Sequence, residues 1–205
     1  MARFTGPKGK IVRRFGVNIY GNDKYDRLLQ RRADGPGQQG AKRFRKHSDY
    51  ALQLIEKQKL RHSYGLLEKQ FRQVFHKAQR MQGVAGDNML VLLETRLDSL
   101  AFRAGFGRSL SQARQMVNHG HLKVNGHRVD IPSYQVRAGD VVSLRERSNS
   151  RTLAARYLTE NPCFSGREWF TVDRAALSVK VSRLPQADEI NSPANEKLIV
   201  EYYSK

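Results

Sequence analysis

Cysteine is almost absent from this chain. Cys163 stands alone among 205 residues, so neither a disulfide framework nor a cysteine-built zinc cluster can form within it. Long apolar runs are missing too. The longest, Met89-Leu-Val-Leu-Leu93, is closed by Glu94 and falls far short of the roughly 20 residues a membrane-spanning helix needs. The first ten residues, Met1-Ala-Arg-Phe-Thr-Gly-Pro-Lys-Gly-Lys10, lead straight into basic side chains without the apolar stretch of a signal peptide. Carboxylates are the third shortage: 19 acidic residues face 37 Lys and Arg, for a net charge of +18 and a pI near 10.4. Such an excess repels itself in the compact state and calls for a polyanionic partner. With the membrane set aside, the expectation is a reduced, cytosol-like compartment and nucleic acid as the partner.

What is present argues for folding. Hydrophobic content of 39% with 9% aromatics is too high for a wholly disordered polycation, and the length allows one or two domains. The charge is unevenly spread. Residues 1–60 carry 15 basic and 5 acidic side chains, net +10, while residues 151–205 carry 8 and 7, net +1. Residues 1–46 lack sustained periodicity and contain turn formers (Gly6-Pro7, Gly21-Asn22-Asp23, Asp34-Gly35-Pro36-Gly37). Basic clusters run through them: Arg3 with Lys8 and Lys10, Arg13 and Arg14, Arg27 with Arg31 and Arg32, and Lys42, Arg43, Arg45 and Lys46. Phe4, Phe15, Tyr20, Tyr25 and Phe44 are interleaved and can stack on bases or anchor the segment. The expectation is an N-terminal arm that is mobile when free and ordered on RNA.

Helices follow. Ser48 is a candidate N-cap for a helix through about Leu60. A second helix is predicted from about Leu66 to Met81, with Leu67, Phe71, Val74, Phe75, Ala78 and Met81 on one side at helical spacing. Its other side carries Lys69, Arg72, His76 and Arg80 with no carboxylate among them. Like charges three or four apart disfavour a helix, so a stripe of one sign is better explained by phosphates lying along it. Asp87 can cap a further helix running from Asn88 towards Ala104.

The stretch from Arg96 to Leu144 is the most informative. A helix ends at Gly105-Phe-Gly107, and Ser109 with Gln112 forms a capping-box pattern for a second short helix. Leu110, Ala113, Met116 and Val117 make its apolar face, while Ser111, Arg114, Gln115 and Asn118 are expected to face the other way. Gly120 sits at the C-terminal cap position. Asn125-Gly126 between alternating segments predicts a two-residue hairpin, pairing Val124 with His127, Lys123 with Arg128 and Leu122 with Val129. Lys123 directly opposite Arg128 is destabilising on its own and makes most sense with an anion over the pair. Gly139-Asp140 turns the chain into the strand Val141–Leu144. Beyond this, Arg151–Tyr157 is predicted as a helix, Trp169-Phe170 as a core plug, and Ser178–Ser182 and Leu198–Tyr203 as strands.

Two helices followed by a small sheet resemble the RNA-binding module named after ribosomal protein S-four. The residues that carry the resemblance are Arg96-Leu-Asp98, Ser109-x-x-Gln-Ala-Arg114, His119-Gly120-His121, Val124-Asn-Gly126, Ile131-Pro-Ser133 and Gly139-Asp140. Thr5-Gly-Pro-Lys8, Pro36-Gly-Gln38 with Gly40, Glu56-Lys-Gln-Lys59, Tyr64-Gly65 and Glu68-Lys-Gln-Phe71 are similar to the N-terminal part of the bacterial ribosomal protein, and Leu198–Lys205 to its final strand and C-terminus. The chain is thus identified as a member of the bacterial S-four family of small-subunit ribosomal proteins. It departs from many relatives in having no cysteines in its arm, which matches the zinc-free form, so no metal or cofactor is expected. Gln39 also stands where His often follows Pro-Gly-Gln.

The resemblance implies an α+β fold with three parts: a basic arm (1–46), a mainly helical domain (47–93 with 178–205), and an inserted RNA-binding domain (94–177). It implies a non-enzymatic constituent that binds the 5′ domain of 16S ribosomal RNA, nucleates 30S assembly and, with protein S-five, affects translational accuracy near the channel by which messenger RNA enters. The expected RNA contacts are Arg3, Lys8, Lys10, Arg13, Arg14, Lys42, Arg43, Arg45 and Lys46 in the arm, the stripe Lys69, Arg72, His76 and Arg80, and, in the module, Arg108, Ser109, Arg114, Asn118, His119, His121, Lys123 and Arg128.

Catalytic alternatives are weak. Arg96-Leu-Asp98 superficially matches part of a pseudouridine synthase site, but Thr95 replaces the preceding His and Asp98 falls inside a helix. His119 and His121 lack a recognisable third metal ligand, and Gly105-x-Gly107 lacks the strand and third glycine of a dinucleotide site. An RNA-modifying enzyme would need a further domain of roughly 100–200 residues, for which no room remains. A free-standing RNA chaperone or repressor using the same surfaces is the other alternative.

Overall fold

The structure, a computed structural model, describes residues 4–38, 40, 48–146, 148–160 and 168–204, apart from the side chains at 148–150, 153 and 160. The described residues form an α+β protein that divides into two compact units: Met1–Gly86 with Asn191–Lys205, and Asp87–Ile190. The sequence had placed these divisions near residues 94 and 177.

The first unit is helical. It contains α1 (Lys8–Phe15), α2 (Asp23–Arg31), α3 (Asp49–Ser63), α4 (Glu68–Gln79) and, after the second unit, α9 (Glu196–Ser204), while α5 (Ala85–Glu94) starts at its edge. The arm therefore contains two short helices where no sustained structure was expected. Asn22 caps α2 by accepting a bond from the Lys24 N–H at 3.0 Å, and Val12 of α1 is fully buried. Ser48 caps α3 as anticipated, accepting from the Ala51 N–H at 3.3 Å.

The C-terminal segment corrects another expectation. Leu198–Tyr203 is rich in strand-forming residues, yet it is helix α9. Asn195 caps it through the Lys197 N–H at 3.0 Å. Ile199 is buried, and Tyr203, four residues on, stacks on Phe75 with ring centroids 4.6 Å apart. The helix lies on α3, where Gln53 bonds Glu201 at 2.9 Å. A segment with no strand edge beside it satisfies its own backbone as a helix, and the Ile199/Tyr203 spacing then supplies the buried face.

The second unit holds α6 (Leu97–Arg103), α7 (Leu110–Asn118), β1 (Leu122–Val124), β2 (His127–Arg128), β3 (Val141–Leu144), α8 (Ser148–Glu160), β4 (Phe170–Asp173) and β5 (Ser178–Val181). Its antiparallel sheet has the order β2-β1-β3-β5-β4. Strand β5 thus sits between β3 and β4, not with the helical unit as the sequence suggested. The reason is local: Asp173 accepts bonds from the Ala175 and Ala176 N–H groups, turning β4 into β5 as a hairpin. Leu122, Val124, Val142, Leu144, Val179 and Val181 face inward and join Leu97, Leu100, Phe106, Val117, Trp169 and Phe170 in one core.

No single helix runs from Asn88 to Ala104. It breaks at Thr95-Arg96 because the turn and following chain at 132–136 capture the backbone there. Leu97 and Asp98 N–H groups donate to the carbonyls of Tyr134 and Pro132, and the Val136 N–H donates to Thr95. These bonds satisfy donors that a helix N-terminus leaves open.

Candidate nucleic-acid interface

In the helical unit, α4 separates its faces cleanly. Phe71, Phe75 and Ala78 are buried, while Lys69, Arg72, His76 and Arg80 are all exposed. No ion pair engages these side chains among the described residues. The acidic residue at the start of the helix, Glu68, is turned away and held by Lys57 at 2.7 Å and the Tyr203 hydroxyl at 2.9 Å. Burial pushes its carboxyl up, but the Lys57 and Tyr203 bonds outweigh that and hold it below the usual range. Lys57, itself buried, lies 4.8 Å from the Tyr202 ring. Met81, expected on the apolar side, is exposed beyond the helix end.

The arm's cations do not all reach solvent alike. Lys10 and Arg14 are exposed. Arg13 instead donates to the Asp34 and Gly35 carbonyls, each at 2.9 Å, and so ties that stretch of backbone to α1. Lys8 lies 5.0 Å from the Tyr20 ring. Arg3, Lys42, Arg43, Arg45 and Lys46 fall outside the described residues. Exposed Lys24, Arg27 and Arg31 share one side of α2, a cationic row missing from the expected contacts.

Sequence reasoning also missed His62. Its ring is buried, edge-on to Phe4 at 4.8 Å between centroids and 6.3 Å from Phe15. Arg61 Nη2 lies 2.9 Å from its Nε2, which a neutral imidazole accepts. Burial, then Arg61 and Arg14, pull its pKa from 6.5 down to about 4.

In the sheet-bearing unit the hairpin has the expected register, Lys123 opposite Arg128 and Val124 opposite His127. Asn125 (φ 49°) and Gly126 (φ 84°) both take the left-handed conformation that this turn requires. Asn125 is held there by bonds to Asp140 Oδ1 and the Val141 N–H, at 2.8 and 2.9 Å. Arg108, Asn118, His119 and Arg128 are exposed, and His121 and Lys123 are half-buried. Ser109 is occupied as the cap of α7, accepting from the Gln112 N–H at 3.3 Å. The Gln112 side chain returns the bond one residue earlier than expected, to the Arg108 N–H at 2.9 Å.

Arg114 is the clearest correction. It does not face outward with its helical neighbours but is buried at 4% exposure, its Nε 3.8 Å from Asp98 Oδ2. Asp98 is fully buried and takes a two-pronged bond from Arg96 at 3.0 and 2.9 Å. A carboxylate in the first turn of α6 also suits the helix dipole. This buried trio is structural: Asp98 is the anchor that draws two arginines inward. Among the described residues no three His, Cys, Asp or Glu side chains gather as a metal site, and Cys163 lies outside those residues. No helix among them is long and apolar enough to cross a membrane.

Known proteins place this arrangement. A family profile described as ribosomal protein S4/S9 N-terminal domain matches residues 3–94, and one described as S4 domain matches 95–142. The small ribosomal subunit protein uS4 of Opitutus terrae is 49% identical over 205 residues, covering all of both chains. Its counterpart in Borrelia recurrentis is 46% identical, covering all of this chain and 99% of its own. That of Listeria monocytogenes is 46% identical, covering all of both. The chain belongs to the uS4 family.

The junction of the two uS4 profiles, between Glu94 and Thr95, coincides with the break between α5 and α6. Thr95 Oγ1 lies 2.7 Å from both the Val91 carbonyl and Gln135 Oε1. The S4-domain match ends at residue 142, so α8 and the β4–β5 hairpin complete the uS4 sheet and core from outside it.

Proposed function

We propose that this chain, a non-enzymatic structural constituent of the small ribosomal subunit, acts as a primary RNA-binding scaffold. It binds the 5′ domain of 16S ribosomal RNA early in 30S assembly. Beside protein S-five and the incoming messenger RNA, it contributes to decoding accuracy on the cytoplasmic ribosome. The observation that carries the reading is the exposed α4 stripe, whose nearest carboxylate is occupied elsewhere. A row of unpaired Lys and Arg side chains on a rigid helix, with His76 among them as a further donor, is suited to neutralising phosphates whose positions are fixed by RNA shape. The hairpin cations supply a second contact area of the same kind. Recognition by backbone and 2′-hydroxyl geometry accords with Tyr50 being the one exposed Phe, Tyr or Trp side chain among the described residues.

The test is binding of the full chain to a 5′-domain transcript over 50–200 mM salt, with footprinting of the complex. Affinity is expected to fall steeply with salt because several phosphates are neutralised. Changing Lys69, Arg72 and Arg80 together to Gln is expected to flatten that slope by about 2 and to leave thermal stability unchanged. A wild-type chain that binds the transcript no better than unrelated RNA would overturn the reading.

A further inference from the structure

Two arginines, one in strand β2 and one just past β3, converge on one backbone residue. Gly120 ends α7 with a left-handed φ of 67°, its N–H bonded to the Val117 carbonyl and that of His121 to Met116. The Arg128 guanidinium, reaching back from edge strand β2, lies directly over Gly120: a Cβ added there would come within 2.7 Å of Cζ. Arg145, just past β3, reaches the same residue and donates Nη1 to the Gly120 carbonyl at 3.3 Å. Its own N–H holds the His121 carbonyl at 2.9 Å. Lys123, opposite Arg128, belongs to the same outward face of the sheet.

No ion pair neutralises Arg128 or Arg145 among the described residues. Within this unit, Glu94 is taken by Arg103, Asp98 by Arg96, and Asp140 by Asn125 and the Arg137 N–H. Asp130 and Glu146, exposed beside the arginines in sequence, pair with neither. Two guanidiniums held at one residue without a counter-charge repel each other unless an anion joins them. Each offers a planar fork of donors. One fork is enough for a carboxylate, whereas two forks carried by separate segments fit the several oxygens of a phosphate.

We propose that Arg128 and Arg145, seated on Gly120, form a two-fork clamp for a single RNA phosphodiester. Gly120 is a positioning residue that leaves the space in which Arg128 lies. The proposal rests on the RNA-scaffold reading and adds to it Arg145 and the sharing of one phosphate.

The experiment is a double-mutant cycle on the full chain, measuring binding to the 5′-domain transcript at several salt concentrations. Arg128→Gln and Arg145→Gln are each expected to weaken binding about tenfold, as for loss of a charge-assisted hydrogen bond. Together they should weaken it by about twentyfold rather than the hundredfold of independent contacts. Arg128→Lys, which keeps the charge and loses the fork, should behave like Arg128→Gln in affinity but retain the wild-type salt slope. Gly120→Asn tolerates the left-handed backbone while its Cβ displaces Arg128. It should weaken wild-type binding and add little to Arg128→Gln. Unfolding monitored at buried Trp169 reports whether each variant keeps the unit folded, and the two arginine variants decide the matter if Gly120→Asn does not. Additive losses, or an Arg145→Gln variant that binds like wild type, would overturn the clamp while leaving the scaffold reading intact. Failure of the wild-type chain to bind the transcript would instead overturn the scaffold reading.

Discussion

Acid should loosen the helical unit through His62 before it affects the other unit. The imidazole is buried among Phe4, Phe15, Arg61 and Arg14, and its pKa falls from 6.5 to about 4 on folding. A histidine held neutral by the fold contributes stability that is complete above pH 6.5 and is lost as the pH falls towards 4. At pH 5 the unfolded chain is almost fully protonated at this position while the folded chain is mostly neutral. The difference amounts to about 2 kcal/mol at face value, and to about 1 kcal/mol after allowing for screening by water at the edge of the unit. Protonation also places a third cation between Arg61 and Arg14, against the anchoring rings of the arm. The assay is hydrogen exchange of α1 and α3 peptides at pH 7 and pH 5, corrected for intrinsic rates, with His62→Gln as the comparison because Gln keeps an acceptor for Arg61. Wild-type protection should drop by about fivefold relative to the variant's change over the same interval. Trp169 fluorescence, which reports the sheet-bearing unit, should not follow it. Equal pH responses in wild type and His62→Gln would refute the reasoning.

Two other substitutions separate buried charge from exposed charge. Arg114→Gln should leave the salt slope of RNA binding unchanged but destabilise the sheet-bearing unit by about 1–3 kcal/mol, since it strips a cation from buried Asp98; chemical denaturation followed at Trp169 measures this. Lys123→Glu should do the reverse, replacing a like-charged cross-strand pair with an opposite one. It is expected to raise stability by up to about 1 kcal/mol while weakening binding to the 5′-domain transcript.

Features set by neighbours in sequence were legible from the residues alone. The Asn125-Gly126 turn dictates its own register, the Ser48 and Ser109 caps mark their helices, and the α4 stripe follows from helical spacing. Features set by distant partners were not. Arg114 lies at a helical position that reads as outward, and only buried Asp98, sixteen residues earlier, turns it in. Leu198–Tyr203 has strand-like composition, and its helical form depends on the groove offered by α3 and Phe75. Strand β5 was recognised, but its place in the sheet required β4, whose four residues carry too short a pattern to stand out. His62 and Arg145 were missed for the same reason. Each draws its significance from groups brought to it by the fold, the rings of the arm in one case and the backbone of Gly120 in the other.

The α4 stripe has a consequence that its charge alone would not give. Lys69, Arg72, His76 and Arg80 are spaced three or four residues apart, and at a rise of 1.5 Å per residue the whole row spans roughly 16 Å. A flexible tail with the same cations could drape itself over almost any RNA, losing conformational freedom each time it did so. The helix behaves instead like the teeth of a comb. Its intervals are fixed before contact, so little order has to be imposed on binding, and an RNA whose phosphates are out of step engages only some of the teeth. On the reading proposed above, rigidity of α4 is a means of rejecting the wrong RNA shape as well as of holding the right one.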